Sequence, residues 1–524
     1  MHEQMKRLPI WNRPWPLSLL SAILLSLSFP PFNLAILQTP AFVFLFRIGE
    51  LSTTKRETIL YTYPSLVLWN LLVTYWLMMA TISGGIAAIV ANAAIMLIPL
   101  LIIRAVFRSD MHPLGSALVV AAVWVSYEFL HHNWDLSWPW LTLGNGWANL
   151  TGAIQFISYT GVLGVSFWVV LSACLFYRYL IRPSRPVLYQ SLAAFLLFPA
   201  LSILAFATIP AETGKPLTVA VVQPNSDSYV TPYGGHDTLD DLLTKLLTQT
   251  GSVVTDETEV VVWPENAIMS SLTLQNRHFN RIRDSLRVWD TELITGAGFV
   301  EYYPEPNGQS VYRTSGNGTS YRVYNAAFNL HPSEENSVYR KGKLVPVVER
   351  FPFVDFFHRI DRFGWINWGS LMGYGLGSDP VNFSVNSHST PALICYDSVF
   401  PGWVNRFVQD GADFLTIITN DGWWGDSNGH VQHFDYARLR SIEQRRWIVR
   451  SANNGISGII SPDGKVQLET EYWVDDAFSF TIHTSDHKTF FARYGDWFGQ
   501  LMLVIAFIGL TAFGVSGRRS GNGQ

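Results

Sequence analysis

The sequence predicts a protein in two structural parts, a helical membrane domain and a layered α/β domain. Only 15% of its 524 residues are charged, against roughly 25% in soluble domains, which favours a membrane protein. The charges are also unevenly distributed, because residues 14–210 form a series of apolar runs with few of them. Residues 216–486 instead alternate between predicted strands and helices, which is typical of an α/β domain.

Eight apolar segments have lengths at or near the ~20 residues of a membrane-spanning helix. These predicted spans are residues 16–29, 32–46, 59–80, 82–107, 114–130, 157–180, 189–209 and 497–515. The first segment is not a secretory signal, because no small-residue cleavage site follows it and further spans do. The predicted domains are residues 1–210 with seven spans, residues 211–490 as the α/β domain, and residues 491–524 with the last span and a cytoplasmic tail.

The positions of lysine and arginine predict the orientation of the spans. Basic residues such as Arg13, Arg47, Arg108, Arg182 and Arg518 lie in alternate connections, and the short connections between them contain no lysine or arginine. By the positive-inside rule, both termini are cytoplasmic and the α/β domain lies on the outer face of the membrane. The net charge of −4 gives no basic surface for nucleic acid, so a nucleic-acid partner is not expected.

Three predicted strands each end near a chemically reactive side chain, Glu265, Lys341 and Cys395. Each also has a common structural explanation. Glu265 could cap a helix, Lys341 could be a solvated charge, and Cys395 could be a small buried side chain. If they meet at one edge of a sheet, however, they supply a carboxylate base, a cation for an oxyanion and a thiolate nucleophile. The only other cysteine, Cys174, lies in a predicted span and is a poor disulfide partner.

The order Glu, Lys, Cys resembles the catalytic triad of the nitrilase superfamily, with Glu265, Lys341 and Cys395 at the matching positions. The motifs NDGWWG at residues 420–425 and RSANNG at residues 450–455, with His433 between them, extend the resemblance. Together with the spans, they make nearly the whole chain resemble the apolipoprotein N-acyltransferases.

The resemblance implies a nitrilase-like αββα sandwich for the α/β domain and a multi-pass enzyme of the bacterial cytoplasmic (inner) membrane, with the catalytic domain on the periplasmic face. It implies that an acyl chain moves from a phospholipid donor to a diacylated lipoprotein acceptor. By the same resemblance, the acceptor group is expected to be the α-amino group of the lipid-modified N-terminal cysteine. We expect a reaction in two ping-pong steps through a thioester on Cys395.

Further residues are candidates for substrate binding or for support of the triad by the same resemblance. They are Glu349, Tyr396, Asp397, Tyr233, Trp423 and Asn420. Two positions depart from the family pattern. Asp397 stands where the family commonly has glutamate, and Tyr229 and Tyr233 are the nearest aromatic residues where the family tends to have tryptophan.

No cofactor is expected, and no metal ion is expected either. His430 and His433 lie three residues apart on one predicted helix, a spacing that permits metal ligation. No cysteine or carboxylate set completes a site with them in the sequence, which argues against a zinc centre.

The segment 349–377 is unusually aromatic for a soluble surface, with Phe363, Trp365 and Trp368 among its residues and glycines behind them. It is either a packed loop or a mobile apolar lid beside the bilayer.

Two other functions are compatible with parts of the sequence. A membrane-anchored nitrilase-type amidase or hydrolase would use the same triad with water as acceptor, but it would need one anchor rather than eight spans. A transporter or receptor with an inactive α/β binding module is a second alternative. The scarcity of polar residues within the spans argues against a transport pathway.

Overall fold

The computed structural model describes residues 9–109, 111–207, 214–230, 233–271, 277–306, 310–333, 335–361 and 363–521. The chain forms two compact units. The helical unit comprises Met1–Trp134, Trp138–Ile209 and Thr489–Gln524, and the α/β unit comprises Asp135–Ser137 and Pro210–Lys488. The predicted domain boundary between residues 210 and 211 lies outside the described residues.

The first part of the helical unit contains nine α-helices among its described residues. They are α1 Pro14–Leu27, α2 Gln38–Leu51, α3 Lys55–Thr74, α4 Leu77–Ala80, α5 Ile82–Phe107, α6 Pro113–His131, α7 Ile157–Thr160, α8 Leu163–Ile181 and α9 Arg185–Ala207.

The α/β unit follows, with fourteen strands and six helices among its described residues. The strands are β1 Pro216–Gln223, β2 Thr258–Val262, β3 Ile268–Ser271, β4 Glu292–Tyr303, β5 Arg313–Thr314, β6 Ser320–Leu330, β7 Ser337–Arg340, β8 Asn382–Val385, β9 His388–Ile394, β10 Leu415–Thr419, β11 Ile448–Ala452, β12 Gly458–Ile460, β13 Val466–Glu469 and β14 Asp476–His483. The helices are α10 Leu239–Val253, α11 Arg277–Trp289, α12 Val354–Ile360, α13 Trp368–Leu371, α14 Pro401–Gln409 and α15 Asn428–Gln444.

The chain then returns to the helical unit with α16 Phe490–Tyr494 and α17 Trp497–Gly521. Each of the eight predicted spans overlaps one of the longer helices of this unit. In the part of the chain that the structure describes, four helical segments are long and apolar enough to cross a membrane, namely α5, α6, α8 and residues Arg185–Phe206 of α9. Pro14–Leu27 and Trp497–Ala512 are apolar but shorter. Residues 208 and 209, at the end of the predicted seventh span, lie outside the described residues.

Two predicted spans are interrupted where the backbone adopts a left-handed conformation. Asn33 has a φ of +55°, and α2 begins only at Gln38 rather than at residue 32. Gly161 has a φ of +66° and separates α7 from α8. A residue in this region of backbone conformation ends a right-handed helix, which hydropathy alone does not reveal.

The strands of the α/β unit form two sheets. The first has the order β14-β1-β2-β4-β6-β5, with β3 added beside β4 and β7 beside β6, and the second has the order β13-β12-β11-β10-β9-β8. The strands β1, β2 and β4 are parallel in the first sheet, and β9, β10 and β11 are parallel in the second. All five residues of β10 are buried between parallel neighbours, which explains its continuous apolar sequence.

The two sheets lie against each other between layers of helices. Leu246 of α10 and Ile282 of α11 belong to one buried core with residues of β1, β2 and β4. On the side of the second sheet, Ser451 Oγ of β11 donates a hydrogen bond of 2.8 Å to the carbonyl oxygen of Val222 in β1. Helices α14 and α15 contact β9 and β12 of the second sheet. The layers therefore run helix, sheet, sheet, helix.

Candidate active site

Glu265, Lys341 and Cys395 lie at the ends of three strands of the α/β unit. Lys341 and Cys395 directly follow β7 and β9, and Glu265 lies three residues beyond β2. All three side chains are buried. The Nζ atom of Lys341 lies 3.3 Å from Glu265 Oε1, and the charges of both residues act on the pKa of Cys395. The structure thus brings the three predicted residues into one buried cluster.

The carboxylate of Glu265 is held by groups from two other elements. Its Oε1 accepts a hydrogen bond of 2.7 Å from Asn325 Nδ2 in β6, and its Oε2 accepts one of 2.9 Å from the backbone amide of Asn420. Burial raises the pKa of Glu265, Lys341 opposes this shift, and the nearby charge of Glu349 adds to it. A buried carboxylate with a raised pKa is suited to accept and return a proton.

Lys341 lies between two carboxylates. Its Nζ donates to Glu349 Oε1 at 2.8 Å as well as to Glu265, and Glu349 Oε2 is fixed by the backbone amide of Val345 at 2.7 Å. Burial lowers the pKa of Lys341, but the charges of Glu265 and Glu349 outweigh burial and raise it well above its ordinary value. The ammonium group therefore stays charged inside the protein.

Cys395 occupies a turn with an unusual backbone. Its φ is +45°, a left-handed conformation that few residues other than glycine adopt. Burial raises the pKa of the Cys395 thiol well above its ordinary value, the charge of Glu265 raises it further, and that of Lys341 opposes the shift. The resting thiol is therefore protonated at neutral pH, and its reaction as a nucleophile requires a base.

Asp397 supports the turn that carries Cys395. Its Oδ2 accepts hydrogen bonds from the hydroxyl of Tyr339 at 2.9 Å and from the amide of Ile394 at 3.1 Å, and its Oδ1 accepts one of 2.7 Å from the amide of Lys343. These contacts join the turn after β7, which holds Lys341, to the turn after β9. Burial raises the pKa of Asp397 to about 7, against the opposing charge of Lys341. Aspartate is thus long enough to make all three contacts.

The neighbouring Tyr396 makes a different contact. Its hydroxyl donates a hydrogen bond of 2.9 Å to the carbonyl oxygen of Ser137, a residue of the loop segment Asp135–Ser137 that belongs to the α/β unit. The phenol is buried and stacks edge-on against Phe400. Tyr396 therefore ties the turn beside Cys395 to this loop segment.

The remaining three candidates lie at different distances from the triad. Asn420 holds Glu265 through its amide, and its side-chain oxygen accepts a hydrogen bond of 2.5 Å from Ser228 Oγ. Trp423 is exposed, and its carbonyl oxygen accepts a hydrogen bond from the hydroxyl of Tyr229. Tyr233 lies in a turn, where its carbonyl oxygen accepts from the amide of His236 at 3.2 Å. Of the two tyrosines noted in the sequence, Tyr229 is the one that contacts Trp423.

Sequence reasoning gave no site role to Asn325, which donates to both Glu265 and Glu349. It placed Asp421, His433 and Arg450 in family motifs but did not predict that they form a buried cluster beside Cys395. One sequence feature could have indicated two of these residues, namely a polar side chain within an apolar strand. Asn325 in β6 and Arg450 in β11 both have this feature.

One group of the described residues has the spacing of metal ligands. Cys395, Asp421 and His433 each offer a ligand atom, and these atoms lie within 4.8 Å of one another. Arg450 Nη2, however, donates to Asp421 Oδ2 at 2.7 Å. A fixed cation in contact with the carboxylate disfavours a second cation, so the donor set does not fit a metal ion well. His430 is not part of this group and stacks on Tyr472 instead.

Comparison with known proteins gives the family. Residues 21–175 match the model of the apolipoprotein N-acyltransferase N-terminal domain, and residues 218–486 match that of the carbon-nitrogen hydrolases. An apolipoprotein N-acyltransferase of Chlorobaculum tepidum is 31% identical over 522 residues, which cover 94% of this chain and 95% of the relative. The chain belongs to the apolipoprotein N-acyltransferase family. A second member, from Thermotoga maritima, is 28% identical over 77% of this chain and 72% of its own length.

Solved structures are similar to about half of this chain. A Saccharomyces cerevisiae member of branch 10 of the nitrilase superfamily covers 53% of this chain and 93% of its own, with 14% identity and a TM-score of 0.37. An amidase from Nesterenkonia sp. covers 53% of this chain and 94% of its own, with 13% identity and a TM-score of 0.35. As a member of its family, the chain is an enzyme, an N-acyltransferase with a nitrilase-like α/β domain and with apolar helices consistent with a membrane protein.

Proposed function

We propose that this N-acyltransferase moves an acyl chain from a phospholipid to a lipoprotein through a thioester on Cys395. The acceptor is the α-amino group of the diacylglyceryl-cysteine at the lipoprotein N-terminus. The observation that carries the proposal is the buried contact of 3.3 Å between Lys341 and Glu265, whose charges both act on Cys395. This cluster contains a base, a cation and a nucleophile, which are the groups that acyl transfer requires.

In the first step, Glu265 takes the proton of the Cys395 thiol, and the sulfur attacks the ester carbonyl of the phospholipid. Lys341 stabilises the oxyanion of the tetrahedral intermediate. The bond to the glycerol oxygen then breaks, and Glu265 returns its proton to that oxygen. The products are a lysophospholipid and an acyl thioester on Cys395.

In the second step, the neutral amine of the lipoprotein attacks the thioester, again with Lys341 opposite the oxyanion. The carbon–sulfur bond breaks as the amide forms. Glu265 accepts the proton of the amine and returns it to the sulfur, which regenerates the thiol. A thioester is more reactive toward amines than the ester it came from, and the amide product is stable.

The apolar character of the segment 349–377 supports the proposal that the enzyme acts on a lipid. Val354 and Trp368 pack with Val311 and Met372 into a small core, while Phe356, Phe363 and Trp365 are exposed. The segment therefore has one packed side and one exposed apolar side. An apolar surface of this kind suits contact with acyl chains, because each methylene moved from a lipid into water costs about 0.8 kcal/mol.

We also propose the finer membrane arrangement that the sequence predicts. Helices α1, α2, α3 and α17 would complete eight spans with the four longer apolar helices, so that residues 1–210 and 491–524 lie in or beside the bacterial inner membrane. Residues 211–490 would form the catalytic domain on the periplasmic face, with both termini in the cytoplasm. The alternation of connections with and without lysine and arginine supports this orientation.

The test is the intact mass of the purified protein after incubation with phospholipid vesicles alone. Wild type should gain the mass of one acyl chain, and Cys395→Ala should gain none. Cys174→Ala is the matched control, because it removes the other free cysteine and should still form the adduct. A lipopeptide with a free amine should discharge the adduct, whereas its N-acetylated form should not.

Two results would contradict the proposal. Fatty acid released into water with no transfer to the lipopeptide would favour a nitrilase-type hydrolase. An adduct on Cys395→Ala would show that another residue carries the acyl chain.

A further inference from the structure

A second buried polar cluster lies beside Cys395, formed by Asp421, His433 and Arg450. All three side chains are inaccessible to solvent. They come from the turn after β10, from α15 and from β11. None of the three takes part in the proposed chemical steps, although the cluster contacts the turn that carries the nucleophile.

The imidazole of His433 contacts that turn directly. Its Nε2 lies 3.2 Å from the carbonyl oxygen of Cys395 and 3.1 Å from Ser398 Oγ. The Ser398 hydroxyl also donates to the Cys395 carbonyl at 2.7 Å. The carbonyl group of the nucleophile is therefore flanked by Ser398, which donates a hydrogen bond to it, and by the imidazole of His433, in the turn where the Cys395 backbone has a left-handed φ of +45°.

The other side of the ring is anchored by Asp421. His433 Nδ1 lies 2.8 Å from Asp421 Oδ1, and the same oxygen accepts a hydrogen bond of 2.7 Å from Thr419 Oγ1. Arg450 Nη2 donates to Asp421 Oδ2 at 2.7 Å, and Arg450 Nε donates to the carbonyl oxygen of Ile456 at 3.0 Å. The cluster therefore links the ends of β9 and β10 to β11.

The same turn also holds the proposed base. Asn420 lies between Thr419 and Asp421, and its backbone amide donates to Glu265 Oε2 at 2.9 Å. Fixing the turn after β10 therefore fixes the orientation of Glu265. Through His433, this turn is connected to the backbone of Cys395.

We propose that His433 is a positioning residue for Cys395, which it holds in the left-handed turn that directs the thiol toward Glu265. The inference rests on the proposed role of Cys395 as the acyl-carrying nucleophile. The ring acts through the Cys395 backbone, because it is fully buried and has no surface open to substrate. Asp421 and Arg450 in turn fix the orientation of the ring.

The experiment compares His433→Gln with His433→Asn. The side-chain amide of glutamine extends to the position of His433 Nε2, which faces Cys395. The shorter amide of asparagine reaches only the position of His433 Nδ1, which faces Asp421. The first readout is the rate at which the acyl adduct forms from phospholipid vesicles. The second is the rate at which iodoacetamide alkylates Cys395 across a range of pH. Thermal unfolding of each variant reports its stability.

We expect His433→Asn and His433→Ala to form the adduct about 100-fold more slowly than wild type, the effect of a misplacement of ~1 Å at a reacting group. We expect His433→Gln to recover much of the rate at a similar Tm. Alkylation of native His433→Asn should be slower than that of wild type, and the two rates should be equal in denaturant. His430→Gln is the matched control, since His430 is buried on the same helix but stacks on Tyr472, and it should retain the wild-type rate.

Equal adduct rates in wild type and in the His433 variants would overturn the inference. So would equal losses in His433→Gln and His433→Asn, because the ring would then serve only the stability of the fold. If wild type forms no adduct, the proposed function fails. The alkylation rates then still decide whether His433 positions the thiol.

Discussion

Two buried carboxylates of the α/β unit, Glu265 and Asp421, have pKa values shifted in opposite directions although each faces a buried cation. Burial raises the pKa of Glu265, and the opposing charge of Lys341 does not cancel that shift. Burial also raises the pKa of Asp421, but Arg450 and His433 outweigh it and hold the pKa well below its usual range. Both side chains are nearly inaccessible to solvent, so burial does not explain the difference.

The difference comes from the number of carboxylates that share each cation. Lys341 contacts both Glu265 and Glu349, so two negative charges compete for one ammonium group. Arg450 contacts Asp421 alone among the described ion pairs. Like charges that share a site disfavour ionisation, whereas an isolated opposite charge favours it. Glu265 is therefore able to exchange a proton during a reaction, and Asp421 keeps its charge as part of the scaffold.

The largest effect should come from Glu265→Gln. Glutamine can still accept the hydrogen bond of Asn325 or Asn420, but it does not take up a proton, so we expect acyl transfer to fall by about 10²–10⁴-fold, the usual contribution of a general base. The rate of adduct formation from phospholipid measures this change.

The same variant also tests the raised pKa of Glu265. A carboxyl group whose folded pKa lies above its unfolded value of about 4.3 lowers stability as the pH rises through that range. The stability of Glu265→Gln relative to wild type, measured by thermal unfolding, should therefore be higher at pH 8 than at pH 4. A constant difference between the two proteins would show that Glu265 has an ordinary pKa.

Asp421→Asn should act on stability rather than on proton transfer. It leaves Arg450 buried without its counter-charge, and breaking a buried pair in this way costs about 3–5 kcal/mol. Because the folded pKa of Asp421 lies below its unfolded value of about 3.9, its contribution to stability is fully present above that pH and is lost at lower pH. Unfolding by denaturant at pH 7 measures the loss.

The control for this prediction is the double variant Asp421→Asn with Arg450→Met, which removes both charges. We expect it to recover part of the lost stability, because the uncompensated cation is then absent. Equal stability of wild type and Asp421→Asn would mean that Arg450 finds another partner, and the contrast with Glu265 would lose its basis.

The smallest effect should come from Glu349→Gln, which leaves Lys341 with one carboxylate. We expect activity to fall by about tenfold, as for the loss of one charge-assisted hydrogen bond of ~1.5 kcal/mol. Removing the charge of Glu349 also lowers the pKa of Glu265, since that charge raises it. The acidic limb of the profile of kcat/KM against pH should therefore move to lower pH. A limb that stays in place would show that Glu349 does not act on Glu265.

The sequence predicted Glu265, Lys341 and Cys395 as one group, because each follows an apolar strand in a known order, and the structure places Lys341 in contact with Glu265. It did not predict Asn325, whose partners Glu265 and Glu349 are 60 and 24 residues away along the chain. It also assigned no structural partner to Asp421, because His433 and Arg450 become its neighbours only when β10, β11 and α15 pack. Nor did the sequence indicate that Asp397, shorter than the glutamate of the family, would accept hydrogen bonds from β7, from the turn after it and from the end of β9.

The sequence by itself determined the family, the alternation of strands and helices and the identity of the three reactive groups. These features depend on local composition and on residue order, which a linear chain displays directly. The tertiary structure alone decided which carboxylate shares a cation and which has one to itself. That distinction rests on distances of about 3 Å between residues remote in sequence, and Coulomb energies inside a protein depend steeply on such distances.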